Sequence, residues 1–163
     1  MRNALVACVI LACSAQTPAP LPWCTSVPLP QADLAAVSLD GTSIHQPRPA
    51  ECRALEVHAG THTLRLAVAS TPSQRQRGLM NLPFVPAGQG MLFAYPGSRD
   101  DKRDFWMKDT ITPLDMIFIK DDGTISQIAA NVPATAPGML DEQVARREGI
   151  ARYVIELGAG DAA

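Results

Sequence analysis

From Leu55 onward, apolar and polar positions alternate with the period of two that marks half-buried strands. Leu55-Glu56-Val57 and Leu64-Arg65-Leu66-Ala67-Val68 lie either side of Ala59-Gly60-Thr61, a pattern that predicts a β-hairpin. Thr71-Pro72-Ser73-Gln74 predicts a short helix: Thr71 caps it, Pro72 suits its first position and Gln74 completes a capping box. Gly78 should end that helix in the left-handed conformation, after which Leu79, Met80 and Leu82 return to the core. Met91–Tyr95 reads as a strand between the turn at 86–90 and Pro96-Gly97, and Ser98–Asp104 as a charged, solvated loop.

The centre of the pattern is Phe105–Ile119, two apolar runs either side of a polar, proline-bearing turn. Phe105–Lys108 reads as one strand and Leu114–Ile119 as the strand running back, with Pro113 shaping the turn between them. Asp122-Gly123 is a two-residue hairpin signal that sets Thr124–Ala129 antiparallel to Leu114–Ile119. Asn131–Gly138 is a loop, Asp141–Glu148 carries no clear period, Arg152–Leu157 is a last strand, and Gly158–Asp161 looks like a turn into a helix. Short strands with one short helix predict a mainly β fold: a single compact antiparallel β sandwich or small barrel.

The first fifty residues follow other rules. Arg2 precedes a short apolar run, Ala4–Ala12, and Ile10-Leu11-Ala12-Cys13-Ser14 looks like the cleavage site of a bacterial lipoprotein signal peptide. The run is too short to span a bilayer, which takes about 20 residues. An ordinary secretory signal cleaved near Ser14-Ala15, or a misplaced start codon, are the plainer readings. Residues 14–50 hold seven of the 14 prolines and one of the 11 glycines, which suits an extended tether. The chain therefore divides into a signal peptide (1–13) with Cys13 lipidated, a proline-rich tether (14–51) and a β domain (52–163). A lipid anchor would place that domain in the periplasm or at the cell surface, on the membrane of a bacterial envelope. There, Cys24 and Cys52 could close a disulfide worth roughly 3–4 kcal/mol; two unrelated thiols are the alternative.

With a net charge of −2 and no basic stripe beyond Arg75 and Arg77, the chain does not suit nucleic acid. Its three histidines, His45, His58 and His62, form no ligand pattern with Cys or carboxylates, so neither a metal nor a cofactor is expected. Neither a Gly-x-Ser-x-Gly elbow nor a phosphate-cradling loop before a helix is present.

GLM (78–80), GMLF (90–93), FWMKDT (105–110), PLD (113–115) and ELGAG (156–160) occur in the order and spacing of one bacterial and archaeal family. Over about residues 55–160 the chain resembles the family called domain of unknown function 192. The resemblance implies a compact, mostly β domain, frequently exported or lipid-anchored, and brings no established activity. It marks Gly78, Met80, Gly90, Met91, Phe93, Phe105, Glu156, Gly158 and Gly160 as structural motif positions. Members carry Asn after the Lys where this chain has Asp109. They also continue past the Gly-Ala-Gly turn with a helix and strand missing here, which reads as a truncated gene or a fragment and leaves a sheet edge uncovered.

The chemistry-bearing candidates are Trp106, Lys108, Thr110 and Asp115. Phe105 and Trp106, as neighbours in a strand, face opposite sides, so one should be core and the other could line a groove, although both packed under loops is the commoner outcome. If the central hairpin forms, Lys108 and Asp115 could pair across its turn, and Glu156 could join them. Such a pair more often specifies structure than catalyses, and Asp115 could equally bond turn amides. Met80, Met91, Met107, Met116 and Met139 could make an adaptable binding surface, although core filling is their commoner fate. The expectation is an envelope lipoprotein whose domain binds a small ligand or an envelope protein without catalysis. The alternatives are an envelope enzyme using Lys108 and Asp115 as an acid/base pair, and a purely structural factor with no ligand.

Overall fold

The computed structural model describes residues 9–10, 54–59, 62–97 and 99–162. Cys13, Cys24, Cys52 and almost all of the signal peptide and tether lie outside the described residues. The elements are β1 (Val9–Ile10), β2 (Ala54–Ala59), β3 (His62–Ala69), α1 (Pro72–Arg77), β4 (Gln89–Ala94), β5 (Asp101–Trp106), β6 (Leu114–Ile119), β7 (Ile125–Val132), a 3-10 turn Asp141–Gln143, β8 (Arg146–Ala151) and β9 (Tyr153–Gly158). The main sheet runs open in the order β1-β2-β3-β4-β9-β6-β7, and β5 pairs with β8 in a second, two-stranded sheet. Every pairing is antiparallel except β3–β4. That parallel step needs a crossover, and the segment containing α1 supplies it.

The predicted capping box forms: Gln74 N–H donates to Thr71 Oγ1 at 3.2 Å, and Thr71 N–H to Gln74 Oε1 at 3.0 Å. The Asp122-Gly123 turn joins β6 to β7 as expected. All six residues of β6 are buried, because both faces of the sheet carry apolar clusters. Leu114, Met116 and Phe118 join Phe93, Phe105, Met107 and Val154 between the sheets. Ile117 and Ile119 join Val57, Leu66, Leu92, Ile155 and Leu157 on the opposite face. Phe105 meets Phe93 edge-on at 4.9 Å and Phe118 at 5.9 Å, which locks the small sheet onto the large one. Gly90 lets β4 and β9 approach, since a Cβ there would lie 2.0 Å from the Glu156 carbonyl oxygen.

Several expectations are corrected. Phe105–Lys108 and Leu114–Ile119 are not partners in a hairpin: β5 pairs with β8, and β6 with β7 and β9. The turn at Lys108–Asp109 separates the two sheets, with Met107 N–H donating to Ala145 O at 3.0 Å. The charged loop is shorter than expected, because β5 begins at Asp101. Its polar residues face outward and pair across the small sheet, Lys102 with Glu148 at 2.8 Å and Asp104 with Arg146 at 2.7 Å. The stretch without a clear period, Asp141–Glu148, becomes the 3-10 turn and the start of β8. Gly78 has φ 50 but ψ −134, so it is not left-handed helical; it takes a conformation suited to glycine alone. Residues 159–162 form a turn, with no helix among the described residues there.

Candidate functional site

Two buried carboxyl groups organise the chemistry. Asp115 and Glu156 are 0% and 5% exposed, and with Thr110 they are the buried polar side chains of the described chain. Their surroundings are opposite in kind.

Asp115 stands on β6 where the pairing register with β7 shifts, between Leu114 and Met116. The bulge puts Asn131 at φ 52 and turns its N–H to Asp115 Oδ1 at 2.7 Å. The other oxygen, Oδ2, accepts from Gly160 N–H and Ala162 N–H, both at 2.9 Å. Three backbone donors thus converge on one carboxylate, which stitches the turn after β9 to the centre of the sheet. The Pro113-Leu114-Asp115 and Gly158-Ala159-Gly160 motifs meet here, and Ala159 N–H also donates to Pro113 O at 3.2 Å. Asp115 bonds turn amides, as one reading of the sequence held.

Lys108 is not paired with Asp115. Its Nζ forms an ion pair with Asp141, which holds the Lys108 pKa above its ordinary value, chiefly through the hydrogen bond. The Lys108 ammonium also lies 5.8 Å from the centre of the Trp106 ring. Asp109, with φ 52, occupies a backbone region that Asn and Asp both tolerate, so the exchange of Asn for Asp keeps the turn. Thr110 closes it: its N–H donates to Met107 O at 3.0 Å and its hydroxyl to Lys108 O at 3.2 Å.

Glu156 faces a cleft of about 340 Å³ between α1, the 78–80 turn, β4 and β5. Its wall includes Arg75, Arg77, Tyr95 and Trp106, with Phe93 and Phe105 beneath. Glycine at 78 opens the way to the carboxyl, since a Cβ there would stand 3.2 Å from the Phe93 ring and 3.8 Å from Glu156 Oε2. Burial alone pushes the Glu156 carboxyl up to about 8, so it carries its proton at neutral pH. Among the described residues, no ion pair or hydrogen bond engages it.

The cations of the cleft differ in their duties. Arg75 donates to Ser70 O and to Ala94 O at 3.1 Å and lies 4.8 Å over the Tyr95 ring, so it braces α1 against β4. Arg77 is half-buried, and desolvation lowers its pKa with no anion among the described residues to offset it. Asp104 also lines the cleft but is held by Arg146, which lies 4.9 Å over the Trp106 ring. Trp106 is 36% exposed while Phe105 is 7% exposed, so the two neighbours differ and are not both packed away, the arrangement the sequence favoured.

Of the residues singled out in the sequence, Gly78, Met80, Phe93, Phe105, Trp106, Thr110 and Glu156 line this cleft, whereas Lys108 and Asp115 do not. Of the methionines, Met107 and Met116 are fully buried in the core, and Met91 and Met139 pack against it. Sequence reasoning missed Arg77, which it treated as one of two surface arginines. Its placement one residue before a helix-ending glycine and a buried turn was the available signal. No group of three or more His, Cys, Asp or Glu suited to a metal lies among the described residues. No described helix is long and apolar enough to cross a membrane.

The fold and cleft define a small two-sheet β domain with a solvent-accessible pocket over one unpaired, buried carboxyl. The profile of the family described as "Uncharacterized ACR", domain of unknown function 192, matches residues 54–163, and the chain belongs to that family. It is 38% identical to a Sinorhizobium meliloti protein provisionally described as a transcription regulator, over 64% of this chain and 75% of that one, with a TM-score of 0.53. It is 30% identical to a Novosphingobium aromaticivorans protein of unknown function, over 67% and 76% of the two chains, with a TM-score of 0.54. No curated protein matches it.

Proposed function

We infer that the domain is a non-catalytic small-ligand-binding module, carried on an envelope lipoprotein, and that its site is the cleft over Glu156. One observation carries this reading. A carboxyl 5% exposed, with no hydrogen-bond partner among the described residues, faces a cleft instead of being packed shut. Its oxygens open on the cleft and are not among the sealed, unpartnered polar atoms of the fold, and a desolvated acid held at the wall of a cleft is a mark of a binding site.

Acid/base catalysis by Lys108 and Asp115 loses its support, because one is paired with Asp141 and the other is saturated by amides. Among the described residues, no Ser, Cys, His or Lys lines the cleft to act beside Glu156. Binding is therefore the better reading. A thermal-shift screen of the full chain against small metabolites and glycans, repeated on Trp106→Ala, tests it. A ligand at a hundred times its Kd should add about 2.7 kcal/mol, and that gain should vanish in the variant. A blank screen with folded protein, or hits indifferent to Trp106, would remove the cleft as the site.

The envelope placement is part of the proposal and rests on the signal-like segment ending at Cys13. Acyl labelling in cells should be lost in Cys13→Ser, and a protein that stays soluble and unlabelled would end it. The same export would favour a Cys24–Cys52 bridge, which a titration finding both thiols free in the unreduced protein would rule out.

A further inference from the structure

We propose that the cleft takes a small organic carboxylate, its charge met by Arg77, its oxygen by the Glu156 carboxyl and its flat or apolar body by the Trp106 ring. This rests on the cleft being a ligand site, and adds the ligand's chemistry.

From α1 the cleft receives Arg75 and Arg77, from β5 Asp104 and Trp106, from the end of β4 Tyr95, and from β9 Glu156. Asp104 is paired with Arg146, and Arg75 is held in place by backbone carbonyls at its Nη1 and by the Tyr95 ring. Beside them stand Arg77, desolvated with no anion beside it, and a carboxyl without a protein hydrogen-bond partner, both among the described residues. A cationic ligand would face Arg75 and Arg77 with no anionic partner free. A neutral one would leave the Arg77 charge unmet. An anion with two oxygens answers both groups: a guanidinium binds one edge of a carboxylate, and a protonated carboxyl donates to an oxygen of the same anion.

The protonation of Glu156 fits this use. It is neutral at pH 7 because it is buried, and a neutral carboxyl can donate to an anion that an ionised one would repel. Of the other groups facing it, Tyr95 is itself pushed up by burial, so it stays neutral through the same range. Arg103, which could add charge, lies 3.8 Å over the Tyr95 ring and bonds Asp101 and Ala151 O.

The test uses three probes of one shape and different charge: benzoate, benzamide and benzylamine. The full chain carries Trp23→Phe so that Trp106 is its one indole and reports occupancy by fluorescence, with calorimetry beside it. Benzoate should bind at least tenfold tighter than benzamide, benzylamine should not bind, and Arg77→Gln should cost benzoate at least tenfold. Raising the pH from 7 to 9 should weaken benzoate about tenfold in this protein, as Glu156 loses its proton. Glu156→Gln, which keeps a donor but cannot ionise, should bind with a flat profile over that range. A Glu156 with a merely structural role would leave the two profiles parallel.

Benzamide or benzylamine binding as well as benzoate would overturn the carboxylate assignment while leaving a ligand cleft in place. So would an Arg77→Gln variant that binds unchanged, or a Glu156→Gln variant with the same pH dependence. No binding by any of the three at tens of millimolar, in protein shown to be folded, would overturn this assignment and count against the cleft itself.

Discussion

Asp115 and Glu156 sit on neighbouring strands of one sheet, both out of solvent, and the fold treats them in opposite ways. Asp115 lies on the face of β6 shared with Ile117 and Ile119, beside a bulge, and three amides saturate it. Glu156 lies on the face of β9 shared with Val154, under a glycine-lined gap, and no amide reaches it among the described residues. The first carboxylate replaces ladder hydrogen bonds that the bulge and the chain turn give up. The second is a desolvated acid kept next to water. Buried polar groups that hold a fold together are bonded within it; a desolvated acid whose oxygens open instead on a cleft points to a binding role.

The largest expected effect breaks the satisfied member of the pair. Asp115→Ala removes the acceptor for Asn131, Gly160 and Ala162 and leaves those N–H groups stranded, at about 4 kcal/mol. Urea unfolding should show the midpoint falling with the m-value kept, and a loss under 1 kcal/mol would mean water replaces the carboxylate easily. Glu156→Ala, by contrast, should leave the fold intact.

A smaller effect separates the two acids by pH. The folded-state pKa of Glu156 is raised from 4.5 to about 8, so the fold favours its protonated form. That contribution is fully present below about pH 4.5 and is lost as the pH rises through about 8. Between pH 5 and pH 7 the native chain should therefore lose about 2 kcal/mol relative to Glu156→Gln. Parallel unfolding free energies in the two proteins would mean that Glu156 is solvated or paired.

The sequence disclosed what is local. The β2–β3 hairpin, the Thr71 capping box and the Asp122-Gly123 turn each rest on residues a few positions apart, and each formed. The pairing of β5 with β8 joins residues such as Asp104 and Glu148, whose partnership depends on everything folded between them. The outward-facing charges of β5 look like a solvated loop until their partners are known. The mistaken hairpin then carried the mistaken Lys108–Asp115 pair with it. Glu156 stood out as one charge in an apolar strand, but Ile155 and Leu157 beside it are as apolar as Val154. In a sheet buried on both faces, alternation cannot say which way the charge points.

Gly78→Ala probes the opening over Glu156. Its Cβ would crowd the Phe93 ring in a backbone region that L-residues avoid, costing about 1–2 kcal/mol. The same methyl narrows the cleft, so a cleft ligand should bind more weakly in protein that is still folded by circular dichroism. Unchanged binding would mean that ligand enters from the Thr110 side.

The smallest effect is expected where the sequence drew most attention. Lys108→Met removes an ion pair with Asp141 whose partners are about one-third and well over half exposed, and solvent screens such a pair. Met keeps most of the side-chain length and removes only the charge. Unfolding should therefore shift little, and benzoate affinity should change less than twofold, against at least tenfold for Arg77→Gln. The two variants remove the same charge, one from the cleft and one from outside it, so the comparison isolates location from charge. If Lys108→Met matched Arg77→Gln, the ligand would sit over the outer face of the indole, between Lys108 and Arg146. Glu156 would then be a buried acid with no ligand to meet it.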